Sequence, residues 1–395
     1  MKPAQLRVGS LVCIGLFGFS FLFITHAKTD AYIETDLVVN KEVNAVPTLV
    51  DSLGVTHVAK FFDPNLVNPW GIATSSSSPF WVADNGASVS TLYNTAGTPQ
   101  SLVVSIPSPG DPLGASGAPT GVVFNTASMQ GAFKISGVNA GGMAVAAPAA
   151  FLFATEDGTI LGWNPTVNPI GFDPAKAGKY AIIMVNNSPG AVYKGLALAT
   201  DTDGTTRLYA TNFRGGSVDV FDSTFQQLHS IPAFADPALP RGYAPFNIVP
   251  IVVNNMAQLF VTYALQDADK KDDVAGESHG IVNTFRLDGS MQQRFAQHGQ
   301  LNSPWGVVLA PAGFGALSGT LWIGNFGNGH IDAYDPETGR FISKVRNSHG
   351  QAIVIDGLWA LRFGNGGNGG LVHTLYFTAG VNGEQDGLFG SLSPE

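Results

Sequence analysis

Six times along this chain a tight three-residue step opens an apolar strand, and such a repeat constrains the fold before any single motif does. The steps are Pro69-Trp70-Gly71, Pro119-Thr120-Gly121, Tyr193-Lys194-Gly195, Pro245-Phe246-Asn247, Pro304-Trp305-Gly306 and Leu358-Trp359-Ala360, and four of the six keep the glycine. Each is answered by a second strand, in which an aromatic residue is followed three positions later by a mostly polar one. These pairs are Trp81 to Asp84, Phe153 to Glu156, Tyr209 to Asn212, Phe260 to Tyr263, Trp322 to Asn325 and Tyr376 to Ala379. A third strand closes on an aromatic, usually beside a turn-former: Tyr93-Asn94, Trp163-Asn164, Phe221-Asp222, Phe285, Tyr334-Asp335 and Phe389-Gly390. Asn and Asp suit that corner because they hydrogen-bond the next backbone turn and tolerate left-handed conformations.

A unit of roughly 50 residues built from short strands is a propeller blade, which buries its faces only against its neighbours. The expected fold is therefore all-β, a six-bladed β-propeller. The last repeat reaches its third strand near Leu388 to Leu392 and has no chain left for a fourth. Tyr32 to Val39 is the candidate to supply it, closing the ring and covering two exposed sheet edges.

The amino terminus sets the compartment. Lys2 and Arg7 precede an apolar run from Leu11 to Ile24, and Thr25-His26-Ala27 offers small residues where a signal peptidase reads. The run is shorter than the roughly 20 residues of a spanning helix, so residues 1–27 read as a signal peptide. Residues 28–395 read as one domain, exported to the periplasm or the cell exterior. Cys13 is the only cysteine, so the mature chain has no disulfides and depends on packing. The formal charge is −9, and −11 once Lys2 and Arg7 are removed with the leader. An acidic chain without Lys/Arg clusters excludes nucleic acid and any membrane contact beyond the signal peptide. Calcium, a glycan, a protein or a neutral small molecule suits it better, and a monomer is expected.

Trp81-Val82-Ala83-Asp84 and Leu321-Trp322-Ile323-Gly324-Asn325, each after a Pro-Trp-Gly strand, resemble NHL-type propeller repeats, and the resemblance spans nearly the whole mature chain. The pattern is similar to a family of exported bacterial propellers of unassigned function, some of which carry a PEP-CTERM tail. This chain shows no hydrophobic tail at Ser393-Pro394-Glu395, so anchoring by that route is not expected. More distantly, such rings resemble the calcium-dependent phosphotriesterases and lactonases, whose likeness implies a metal in the central channel.

In a propeller the first strands begin and the second strands end on one face. Asp84, Glu156, Asn212 and Asn325 are therefore candidates for a ligand-binding face rich in the oxygen ligands that calcium accepts, or else for turn caps. The fourth repeat carries a long insertion on that face, from Gln266 to Glu277, the most charged segment of the chain. Its Asp267, Asp269, Asp272, Asp273 and Glu277 are candidate cation ligands. The lactonase-like resemblance points to Asn68, Asn247, Asn302 and Asp356 as a channel metal set, although the four do not share one register relative to the glycine column.

Other chemistry is poorly represented. There is no Gly-x-Ser-x-Gly elbow, and the mature chain's histidines, His57 among them, are scattered without zinc-binding spacing. Gly364 to Gly370 lacks the Lys and helix of a phosphate loop, and Asn125 to Ala150 reads as a flap with no chemistry. The leading expectation is a non-enzymatic binding scaffold whose ligand, a glycan or protein, meets the face that carries the acidic insertion. The alternative is a calcium-dependent hydrolase of a lactone or phosphotriester.

Overall fold

The computed structural model describes residues 31–229 and 234–395. The signal peptide read in residues 1–27 lies outside the described residues. Six sheets carry the six repeats. Their first strands are Pro69–Ala73, Pro119–Phe124, Tyr193–Thr200, Tyr243–Val253, Pro304–Leu309 and Leu358–Phe363. Five of these begin on the first residue of the repeated step. In every sheet the second and third strands follow antiparallel. Tyr32–Val39 pairs antiparallel with Leu388–Pro394 and so extends the last sheet, as its position in the sequence suggested.

The first strands touch one another in cyclic order, the last meeting the first. This contact explains the glycine column. A Cβ on Gly71 would stand 2.6 Å from the Thr120 carbonyl oxygen of the next sheet, and one on Gly121 would stand 2.6 Å from the Leu196 nitrogen. Backbones approach that closely only where no side chain intervenes. In the fourth repeat Asn247 replaces the glycine, and its Nδ2 donates to the Trp305 carbonyl of the neighbouring sheet at 2.7 Å.

The apolar core lies between sheets. Trp81, Phe151 and Trp163 fill the gap between the first and second repeats, with Trp81 stacked on Phe151 at 4.1 Å. Comparable clusters fill the other gaps. Fully burying each such large apolar side chain contributes about 1.5–3 kcal/mol, which lets the chain fold without disulfides. The segment expected to be a flap instead forms a hairpin, Lys134–Val138 with Ala144–Pro148. Its root is anchored by the buried Phe133 and Ile135, and Phe133 meets Phe225, in the turn after the third sheet, edge-on at 5.2 Å.

Candidate functional site

Three of the six middle residues of the repeated step are tryptophan, and with Phe246 they share one buried cluster. Trp359 is stacked between Trp70 at 3.6 Å and Phe326 at 3.9 Å, with Trp305 edge-on at 5.8 Å and Phe246 at 5.9 Å. The cluster fills the channel at the end where the first strands begin. Lys194 is the exception in that column. Its ammonium lies 4.7 Å from the Trp70 ring centroid, reaches Glu156 at 2.5 Å, and reaches Asp272 at 3.2 Å.

Burial works against charge on both partners, yet the pair stays ionised. The Glu156 carboxyl, raised by desolvation, is pulled below its ordinary value by Lys194 and Lys271. The Lys194 ammonium, lowered by desolvation, is pushed up by Glu156 and Asp272. Asn85 Nδ2 donates to the second Glu156 oxygen at 3.1 Å. Beside this group Asn68 Nδ2 donates to Glu384 at 2.6 Å, and burial raises the Glu384 carboxyl.

Of the four residues expected to ring this face, only Glu156 reaches its centre. Asp84 is fully buried and accepts from Thr91 Oγ1 at 2.8 Å, with burial raising it well above the carboxylate range. Asn212 accepts from Gly215 N at 2.9 Å, and Asn325 accepts from Asn302 N at 2.9 Å while donating to Asp332 at 2.9 Å. These three hold the strand ends and turns beside them.

The acidic insertion is a hairpin folded back over the ring. Asp267 Oδ1 accepts from its own turn at Lys271 N, 2.8 Å away, while Asp269 and Glu277 are exposed. Asp272 turns inward to Lys194. Asp273 keeps one buried oxygen without a hydrogen-bond partner, and burial raises its pKa. The lactonase-like set does not converge. Asn68 accepts from Trp359 Nε1 at 3.0 Å, Asn247 bonds the neighbouring strand, Asn302 accepts from Gly276 N at 2.8 Å, and Asp356 accepts from Ser52 Oγ at 2.8 Å.

One charged cluster was not anticipated. His57 is buried with Nδ1 3.2 Å from Asp36 and Nε2 3.3 Å from Asp51. Ligand atoms of Glu34, Asp36 and His57 lie within 4.8 Å of one another, a spacing a metal ion accepts. Desolvation would lower the His57 pKa, but the hydrogen bonds and charge of Asp36, with Asp51 and Glu34, push it up to about 9. Protonated between two carboxylates, His57 takes the place of a cation in this cluster. Glu34 and Asp36 sit two apart on one strand, which puts them on one face; that was the available signal.

At the opposite end, the first strands enclose a cavity of about 340 Å³ to which all six contribute. Ile72, Val122, Leu198, Val249, Val307 and Leu361 form much of its wall. Among the described residues Arg362 is the one charged residue lining it, and Thr74 and Thr126 stand at the same mouth. This mouth lies away from the acidic hairpin, on the side of the Lys134–Val138 hairpin.

Sheet order, cyclic packing and a side-chain-filled centre define an all-β, propeller-like protein. No family model matches the chain. It belongs to the family of two uncharacterized Acanthamoeba polyphaga mimivirus proteins. One, protein R648, is 31% identical over 85% of this chain and 77% of its own length; the other, protein L690, is 32% identical over 85% and 82%. These relatives are viral, whereas the sequence pattern pointed to bacterial propellers. Among solved structures, the PQQ-bound aldose sugar dehydrogenase of Streptomyces coelicolor superposes with a TM-score of 0.50 at 12% identity, covering 93% of this chain and 99% of that one. A Bacteroides thetaiotaomicron protein of unknown function gives 0.50 at 11%, covering 92% and 76%. Likeness at such identity concerns fold alone.

Proposed function

We propose that the chain is a six-bladed β-propeller that works after export as a non-enzymatic binding scaffold, with its ligand held in the central channel. The observation that carries this reading is the contrast between the channel's two ends. One end is closed by stacked aromatics and a fully buried Lys194. The other holds a cavity to which every first strand contributes. Cyclic contact among six first strands supports the blade count, and the apolar run ending at Thr25-His26-Ala27 supports export. A rigid ring whose loops vary freely suits ligand binding.

The calcium-dependent hydrolase has less support. Its candidate channel ligands each bond a different local partner. The inward carboxylates, Glu156 and Asp272, surround an ammonium that already supplies the positive charge. The test is to melt the purified protein with EDTA and then with calcium, and to assay lactone and phosphotriester hydrolysis under both conditions. The expected result is one melting temperature throughout and no turnover. Turnover that calcium restores after EDTA overturns the scaffold reading.

A further inference from the structure

Arg362 stands near the end of Leu358–Phe363 at the cavity mouth, and its hydrogen bonds go to one residue. Its Nε and Nη2 donate to Thr74 Oγ1 at 3.1 and 3.0 Å, and Nη2 reaches the Thr74 carbonyl at 3.4 Å. Nη1 has no partner among the described residues, and no ion pair there involves Arg362. The chain carries 29 acidic residues against 20 basic ones, yet among the described residues none pairs with this guanidinium. Burial pushes its pKa down to about 10, and no carboxylate opposes the shift. Arg362 is half-buried, and a charge partly withdrawn from water without a counter-ion is unfavourable, so its place beside a cavity asks what completes it.

We propose that the channel cavity binds a small apolar carboxylate, with the anionic head on Arg362 and the apolar body along the aliphatic walls. The inference rests on the channel-binding reading above and adds the ligand's chemical class. Thr74 takes Nε and Nη2 and leaves Nη1 free to donate a charge-assisted hydrogen bond to a carboxylate. A phosphate dianion calls for a second cation, and the lining residues supply none. The Gly364 to Gly370 loop borders the same mouth, where Asn365 Nδ2 ties it to the Ser75 and Ser78 carbonyls at 2.8 and 3.0 Å. The cavity volume, about 340 Å³, falls at the small end of ligand pockets.

The experiment is calorimetric titration of the whole protein with decanoate, decanol and decylamine, repeated on three variants whose folding is checked by melting. Decanoate is expected to bind at least tenfold more tightly than decanol, and decylamine more weakly than either. Arg362→Met is expected to erase the preference for decanoate over decanol. Arg362→Lys should keep part of it. Val249→Trp, which fills the cavity, should abolish binding of both. Equal affinity for decanoate and decanol, or a preference that survives Arg362→Met, overturns the carboxylate assignment and leaves the channel reading standing. Binding of neither ligand, or binding that survives Val249→Trp, overturns the channel reading as well.

Discussion

The Lys194 ammonium lies 2.5 Å from the Glu156 carboxylate, and both side chains are withdrawn from water. Breaking such a pair from one side leaves a buried charge uncompensated, at a cost of about 3–5 kcal/mol. Lys194→Met should therefore destabilise the fold by about that amount in urea unfolding, while Lys194→Met with Glu156→Leu should recover most of the loss. If the single variant is as stable as the parent, the aromatic cluster holds this end of the channel without the ion pair.

Stability should fall as pH rises through neutrality, and Glu34 and His57 are two of the groups responsible. Burial and the nearby Asp36 push the Glu34 carboxyl from 4.5 to about 7, and the carboxylates around His57 push it from 6.5 to about 9. Both folded values exceed the unfolded ones, so each contribution is complete below the unfolded pKa and is lost as pH climbs through the folded pKa. Glu34 acts between about pH 4.5 and 7, and His57 between about 6.5 and 9. The His57 share is on the order of 3 kcal/mol. Urea midpoints measured from pH 6 to pH 9.5 should decline, and His57→Gln should flatten the upper part of that slope. An unchanged slope in the variant removes His57 from the account.

The strand scaffold was legible because its signals are local. A glycine that permits backbone contact and an aromatic that fills a gap between sheets recur at fixed positions, and the first strands begin there. The charged sites were not, because they depend on which side chains meet across the ring. Asp84 pairs with Pro69, but in the second repeat Thr155 takes that place opposite Pro119 and Glu156 falls one position beyond the strand, so Asp84 turns to Thr91 whereas Glu156 meets a lysine from the next repeat. That lysine occupies a position held elsewhere by tryptophan, phenylalanine or threonine, so its charge is the departure that marks the spot. His57 and Arg362 belong to no motif. The meaning of Arg362 comes from its lacking a carboxylate partner among the described residues.

The acidic hairpin carries a more modest expectation. Asp267 caps one turn amide and Asp269 is exposed, so removing both carboxylates touches no core contact. Asp267→Ala with Asp269→Ala should change stability by no more than about 1 kcal/mol and leave calcium titrations by melting unchanged. A calcium-dependent rise in melting temperature that disappears in this double variant would establish the hairpin as a cation site.

The pairing of Tyr32–Val39 with Leu388–Pro394 yields the last prediction. Leu37, Val38 and Val39 are buried, and Tyr32 packs edge-on against Trp322 at 5.0 Å while its hydroxyl donates to the Phe314 carbonyl at 3.1 Å. Removing this strand exposes the edge of the last sheet and uncovers the apolar cluster it shares with the fifth, so both edge protection and core area are lost together. A protein truncated through Asn40 should lose its cooperative thermal transition by circular dichroism and aggregate at concentrations where the parent is soluble. Adding a synthetic peptide of residues 31–40 should restore the transition, because the missing strand then pairs from outside. If the truncated protein melts as cooperatively as the parent, the last sheet is stable on its own three strands and the amino-terminal strand is dispensable.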